Sequence, residues 1–99
     1  MLRIEIEDSY NALTLILQGR LVGEQAVNTR ALLLTRCRPG MRLVVDLREV
    51  TFVDASGEDL LSSFGGFGAE FIADSSYSRY ICERLHLRIV MGELTDRNT

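Results

Sequence analysis

The side chains able to do chemistry crowd into one short stretch, Asp54-Ala55-Ser56-Gly57-Glu58-Asp59. Carboxylates beside a hydroxyl suit a metal site, paired acid–base work, or a Ser-His-Asp arrangement completed by His86, the single histidine. Each of these meets a plainer explanation. Acidic residues gather at helix starts because the macrodipole favours them there, whether or not anything binds. Ser56 is not on a nucleophile elbow, since Asp54 and Glu58 occupy the flanking glycine positions. Ser56-x-x-Asp59 instead has the form of a capping box, although Asp is shorter than the usual Glu or Gln. His86, near a helix end, reads as a capping or surface residue. No catalytic residue and no enzymatic activity are expected.

Other chemical motifs fare no better. Gly65-Gly66-Phe67-Gly68 follows a helical stretch, whereas a phosphate-cradling loop follows a strand and opens a helix. The chain has no lysine, so a P-loop lysine is missing; these glycines should end a helix. Cys37 and Cys82 are far apart, and one histidine leaves too few ligands for zinc. Both read as small apolar fillers on helices. No metal and no cofactor are expected.

Composition narrows the remaining classes. With 99 residues, 46% hydrophobic and 25% charged, the chain reads as a single globular domain over 1–99 rather than a disordered segment. Its net charge of −3 opposes an electrostatic hold on nucleic acid, which needs a clustered basic face. Arg30, Arg36, Arg38 and Arg42 are close in sequence and read as a solvated helix end. No apolar run reaches the ~18 residues a membrane span requires, so membrane insertion is not expected. Met1 to Glu5 alternates polar and apolar residues without a signal-peptide core, which points to a cytoplasmic protein.

The elements that would position the acidic stretch follow from periodicity. Leu2, Ile4 and Ile6, then Leu13, Leu15 and Leu17, alternate with polar residues and predict an antiparallel hairpin turning at Asp8 to Asn11. Its second strand should span Ala12 to Gln18, with Gly19 to Gly23 as a connection. Val27, Ala31 and Leu34, widened by Ala26, Leu33 and Cys37, predict a helix over about Glu24 to Arg38, stopped by Pro39-Gly40. Leu43 to Leu47 has the run of a central strand, continued by Val50 to Val53 after a kink at Arg48-Glu49. A helix over about Gly57 to Phe64 presents Leu60, Leu61 and Phe64 on one face. Ala69 to Ala73 is a short strand, and Asp74-Ser75-Ser76 caps a third helix with Tyr77, Tyr80, Ile81 and Leu85 as its core stripe. A last edge strand is expected at Leu87 to Met91, and a polar tail at Glu93 to Thr99. The fold class is α/β, a mixed sheet with helices packed on it through right-handed crossovers.

Leu43-Val44-Val45-Asp46-Leu47, then Val50-Thr51-Phe52-Val53-Asp54, then Ala55-Ser56-Gly57 and Leu60-Leu61 resemble the STAS family of anti-sigma-factor antagonists. Leu17-Gln18-Gly19-Arg20-Leu21 is similar to that family's strand-end motif, and the resemblance runs from about Leu13 to Leu87. It implies a STAS-like fold and a bacterial regulatory module. Such a module binds an anti-sigma factor that is also a serine kinase, and phosphorylation at the helix start ends the binding. The partner surface it implies is Asp54, Ala55, Ser56, Gly57, Glu58 and Asp59, with Arg20 in the Gly19 to Gly23 connection.

Two departures stand out. The usual phosphoacceptor directly follows the Asp, and Ala55 holds that place; Val22 stands where many members carry an Asp. Ser56 is therefore the one hydroxyl left near the phosphorylation position, and capping explains it better than phosphorylation does. A STAS-like subunit of a lipid-transport ABC complex, partnered by transporter subunits, is the alternative that needs no phosphoacceptor. Self-association as a homodimer stays open.

Overall fold

The computed structural model describes residues 1–90. Strands β1 (Leu2–Asp8) and β2 (Ala12–Leu21) form the expected antiparallel hairpin, with Leu2 opposite Gly19 and Asp8 opposite Leu13. The turn closes through the Ser9 amide and hydroxyl, which both donate to the Ala12 carbonyl. Helix α1 (Gly23–Arg36) leads to β3 (Arg42–Val53), helix α2 (Ala55–Gly66) to β4 (Glu70–Ile72), and helix α3 (Ser76–Arg84) to β5 (Ile89–Val90). The sheet order is β1-β2-β3-β4-β5; β2 through β5 run parallel. This is a mixed five-stranded sheet with helices packed on it.

One face of the sheet supplies Leu13, Leu15, Leu17, Leu43, Val45 and Leu47 to a core shared with Ala26 and Leu33 of α1, Leu60, Leu61 and Phe64 of α2, and Ile81 and Cys82 of α3. The kink expected at Arg48-Glu49 is a bulge within one continuous strand. Ile16 pairs with Asp46 but Gln18 with Glu49, so β3 carries an extra residue there; a second extra residue falls between Val50 and Phe52. Each insertion flips the side-chain alternation. Leu47, Val50 and Val53 thereby all reach the core. Arg48 turns back to clamp buried Asp46, donating from its amide and Nε to Oδ1 and from Nη2 to Oδ2 at 2.8–3.1 Å.

Several expectations change. Strand β2 continues through Leu21, because Gly19 to Leu21 still pair with β3, so the connection to α1 shrinks to Val22. On α1, Val27, Ala31 and Leu34 face solvent, with Val27 64% and Leu34 59% exposed. The buried stripe is Ala26, Thr29 and Leu33. Thr29 is tolerated there because its hydroxyl donates to the Gln25 carbonyl at 2.7 Å, which spares it an unpaired polar group. Cys37 caps the end of α1, half-buried, rather than lying within the helix.

On α3, Ile81 is buried and Tyr77 and Leu85 pack against the core as expected, whereas Tyr80 is 56% exposed and Ser78 and Cys82 complete the buried face. Ser75 and Ser78 form the capping box at its start. The last strand is observed at Ile89–Val90; Met91 and the Glu93 to Thr99 tail lie outside the described residues.

Candidate functional site

Strands β2 and β3 end side by side, Leu21 opposite Val53, and the next residues build the site. Asp54, not Ser56, is the N-cap of α2, so the expected capping box does not form. The Asp54 carboxylate does two jobs. Its Oδ1 accepts from the Gly57 amide at 2.9 Å, and its Oδ2 accepts from the Gly23 amide at 3.1 Å. Gly23 is the first residue of α1, whose own N-cap, Val22, offers no side-chain acceptor. A single carboxylate therefore satisfies the starts of two helices, where unpaired amides and both dipoles favour negative charge. The Asp54 amide also donates to the Leu21 carbonyl at 3.3 Å, fastening α2 to the end of β2.

Gly57 explains how close the two segments come. A Cβ placed there would sit 2.3 Å from the Leu21 carbonyl oxygen and 2.7 Å from Val53 Cγ1. No other residue fits without moving backbone.

These constraints divide the expected site residues. Asp54 is held by the Gly23 and Gly57 amides, Gly57 is buried against Leu21 and Val53, and Glu58 is ion-paired with Arg84 of α3. Ala55 and Asp59 are exposed, and Ser56 is half-buried with no hydrogen bond from its hydroxyl among the described residues. Ser56 and Asp59 line a groove of about 220 Å³ together with Ala26, Val27, Arg30 and Leu60. Val27 and Arg30 were not among the expected site residues. Their place follows from the true buried stripe of α1, which turns Val27 and Arg30 outward toward α2.

Arg20 takes another direction. Its guanidinium lies 4.9 Å from the centre of the Phe52 ring, its register partner on β3. Leu21 and Val53, the next residues, point into the core, so Arg20 and Phe52 sit on the opposite side of the sheet from α2.

His86 is far from Asp54 and Ser56. It follows α3 and lines a depression with Gly65, Gly66 and Gly68 from the other end of α2. It closes α3 in a left-handed conformation, φ 58°, its amide donating to the Glu83 carbonyl and that of Leu87 to the Cys82 carbonyl. The residues of a Ser-His-Asp arrangement are thus not brought together. Among the described residues no group of three His, Cys, Asp or Glu is placed to hold a metal ion. Burial pushes the Cys82 thiol up to about 11, so it stays protonated at neutral pH and is a poor nucleophile. No described helix is long and apolar enough to cross a membrane.

A mixed sheet with a β-hairpin at its start, three successive strand–helix–strand units, and a helix opening at the end of the long central strand define a STAS-like fold. Comparison with solved structures bears this out. The unphosphorylated form of the anti-sigma factor antagonist SpoIIAA is similar in structure, with a TM-score of 0.70 over 94% of this chain and 92% of that one, at 16% identity. An uncharacterised protein from Shewanella loihica with a SpoIIAA-like fold matches 98% of this chain and 91% of its own, with a TM-score of 0.63 and 13% identity. A segment making up 19% of the protein Mglu matches 89% of this chain, with a TM-score of 0.55 and 21% identity. No family model matches the sequence. No curated protein is similar to it in sequence.

Proposed function

We propose that this chain is a bacterial, cytoplasmic protein-interaction module of the anti-sigma-factor-antagonist kind. Its partner is an anti-sigma factor that is also a serine kinase. The observation that carries the reading is the groove between α1 and α2, lined by exposed Val27, a Ser56 whose hydroxyl is unbonded among the described residues, Arg30 and Asp59, with exposed Ala55 next to Ser56 in the chain. It offers apolar area, a neutral hydrogen-bonding group and both charges on a backbone held rigid by Asp54 and Gly57. That combination suits a protein surface better than a small substrate, because the groove is open and no matched acid–base pair lines it among the described residues.

Ala55 removes the usual switch. A phosphate adds about −1.5 to −2 charges, and at this helix start it would sit among Asp54, Glu58 and Asp59. A methyl group accepts none, so binding here is constitutive with respect to that kinase.

The test is affinity capture from native extract with the wild-type chain, followed by titration of the recovered partner against Val27→Asp and Ser56→Asp. Recovery of a kinase-type anti-sigma factor, with at least about tenfold weaker binding by both variants, supports the proposal; tenfold is about 1.4 kcal/mol. Unchanged affinity for both removes the groove from the interface. Recovery of ABC transporter subunits through the same groove supports the accessory-subunit reading, which Ala55 also suits.

A further inference from the structure

The opposite end of the sheet, where β2 and β3 begin, carries an unassigned surface. Of the large apolar residues exposed among the described residues, Tyr10 (96%), Leu34 (59%) and Phe67 (58%) gather there. They come from three connections that meet at this end: the β1–β2 turn, the end of α1 and the end of α2. Leu34 and Phe67 flank a groove of about 240 Å³ floored by Leu33, Cys37, Met41 and Leu43. A shallower depression beside it is bordered by Tyr10 and shares Arg38, Pro39 and Met41 with the first.

Charge says what fits. No Asp or Glu lines either depression, and Arg38 lines both. Neither Arg38 nor Arg36, the last residue of α1, pairs with a carboxylate among the described residues. In a chain of net charge −3, both depressions are thus lined, among the described residues, by one unpaired arginine, Arg38, and by no carboxylate, with Arg36 two residues before it in the chain. The sequence reading of these arginines as a solvated helix end leaves the adjacent Leu34, Phe67 and Met41 unexplained.

We infer that this end is a second docking surface, separate from the α1–α2 groove, and that it receives an acidic, amphipathic segment of a partner protein. Apolar side chains of that segment enter between Leu34 and Phe67, and its carboxylates meet Arg36 and Arg38. A recessed apolar floor of Leu33, Cys37, Met41 and Leu43 between the exposed Leu34 and Phe67 suits side chains spaced along a peptide.

A phage-displayed library of random 16-residue peptides, panned on the full chain, tests this. The expected outcome is a set of acidic peptides with apolar anchors at i and i+3 or i+4. Synthetic copies should bind at least tenfold more weakly to Leu34→Glu and to Arg36→Glu/Arg38→Glu, with fold verified by circular dichroism. Their affinity should fall with added salt and be unchanged by Val27→Asp, so that the two surfaces fail independently. Phe67→Ser provides a second apolar variant should Leu34→Glu not fold. Peptides without acidic character, or binding that ignores these variants, overturn the inference. Arginine-dependent sedimentation with phosphatidylserine vesicles but no peptide selection overturns it in favour of a membrane. Self-association lost in Leu34→Glu overturns it in favour of a second copy.

Discussion

The two ends of the sheet differ in how their polar groups are used. Where β2 and β3 finish, the groups that cap and join the elements are committed within the chain: Asp54 serves both Gly23 and Gly57, the Leu21 carbonyl takes the Asp54 amide, and Glu58 pairs with Arg84. Where the same strands begin, Arg36 and Arg38 have no carboxylate partner among the described residues, and Leu34 and Phe67 remain in solvent. The first end is a rigid frame that exposes a few small groups, Ala55 and Ser56 among them. The second carries an exposed rim, Leu34, Phe67 and Arg38, whose side chains contribute little to folding. Substitutions should therefore be costly at one end and cheap at the other.

The largest effect is expected from Gly57→Ala. Its new Cβ meets the Leu21 carbonyl and Val53, and a loss of about 3 kcal/mol is expected in urea denaturation. Asp54→Ala should follow, at about 2 kcal/mol, since it orphans amides on two helices; Asp54→Asn should recover part of that loss. Similar stability for Asp54→Ala and wild type would break the comparison at its stronger end.

A smaller gain, about 0.5–1 kcal/mol, is expected for His86→Gly. Helix α2 ends in the same way as α3, with the Ala69 amide donating to the Phe64 carbonyl, but uses Gly68 at the left-handed position (φ 84°) where α3 uses His86 (φ 58°). The least sensitive positions should be Leu34, Phe67 and Arg38. Each changed to Ala should shift the urea midpoint by less than the equivalent of about 0.5 kcal/mol, because each is largely in solvent. Leu33→Ala, one residue from Leu34 and 2% exposed, should cost about 3 kcal/mol and serves as the internal contrast.

Much of this arrangement was legible in the sequence, and the misses share a cause. The hairpin, the long central strand and the helix after Asp54 follow from alternation, apolar runs and glycine stops, all local signals. The kink at Arg48-Glu49 marked the real bulge. What local patterns could not resolve was which of two similar stripes on α1 faces inward: Thr29 interrupts the buried one, while Val27, Ala31 and Leu34 make an unbroken one that is exposed. The same error hid Val27 and Arg30 from the candidate site. Ser56 suited a cap by its spacing to Asp59, but Asp54 reached Gly57 first and gained a second partner, Gly23, 31 positions away. A tertiary bond of that kind leaves no periodic trace.

The central claim is that the start of α2 binds a partner which cannot switch it off by phosphorylation. The most direct test incubates wild type and Ala55→Ser with the recovered partner kinase and ATP, reading intact mass and then affinity. The account predicts an unmodified wild type with unchanged affinity, beside an Ala55→Ser chain that gains one phosphate and loses binding. A stoichiometric phosphate on wild type within Asp54 to Asp59 would contradict it.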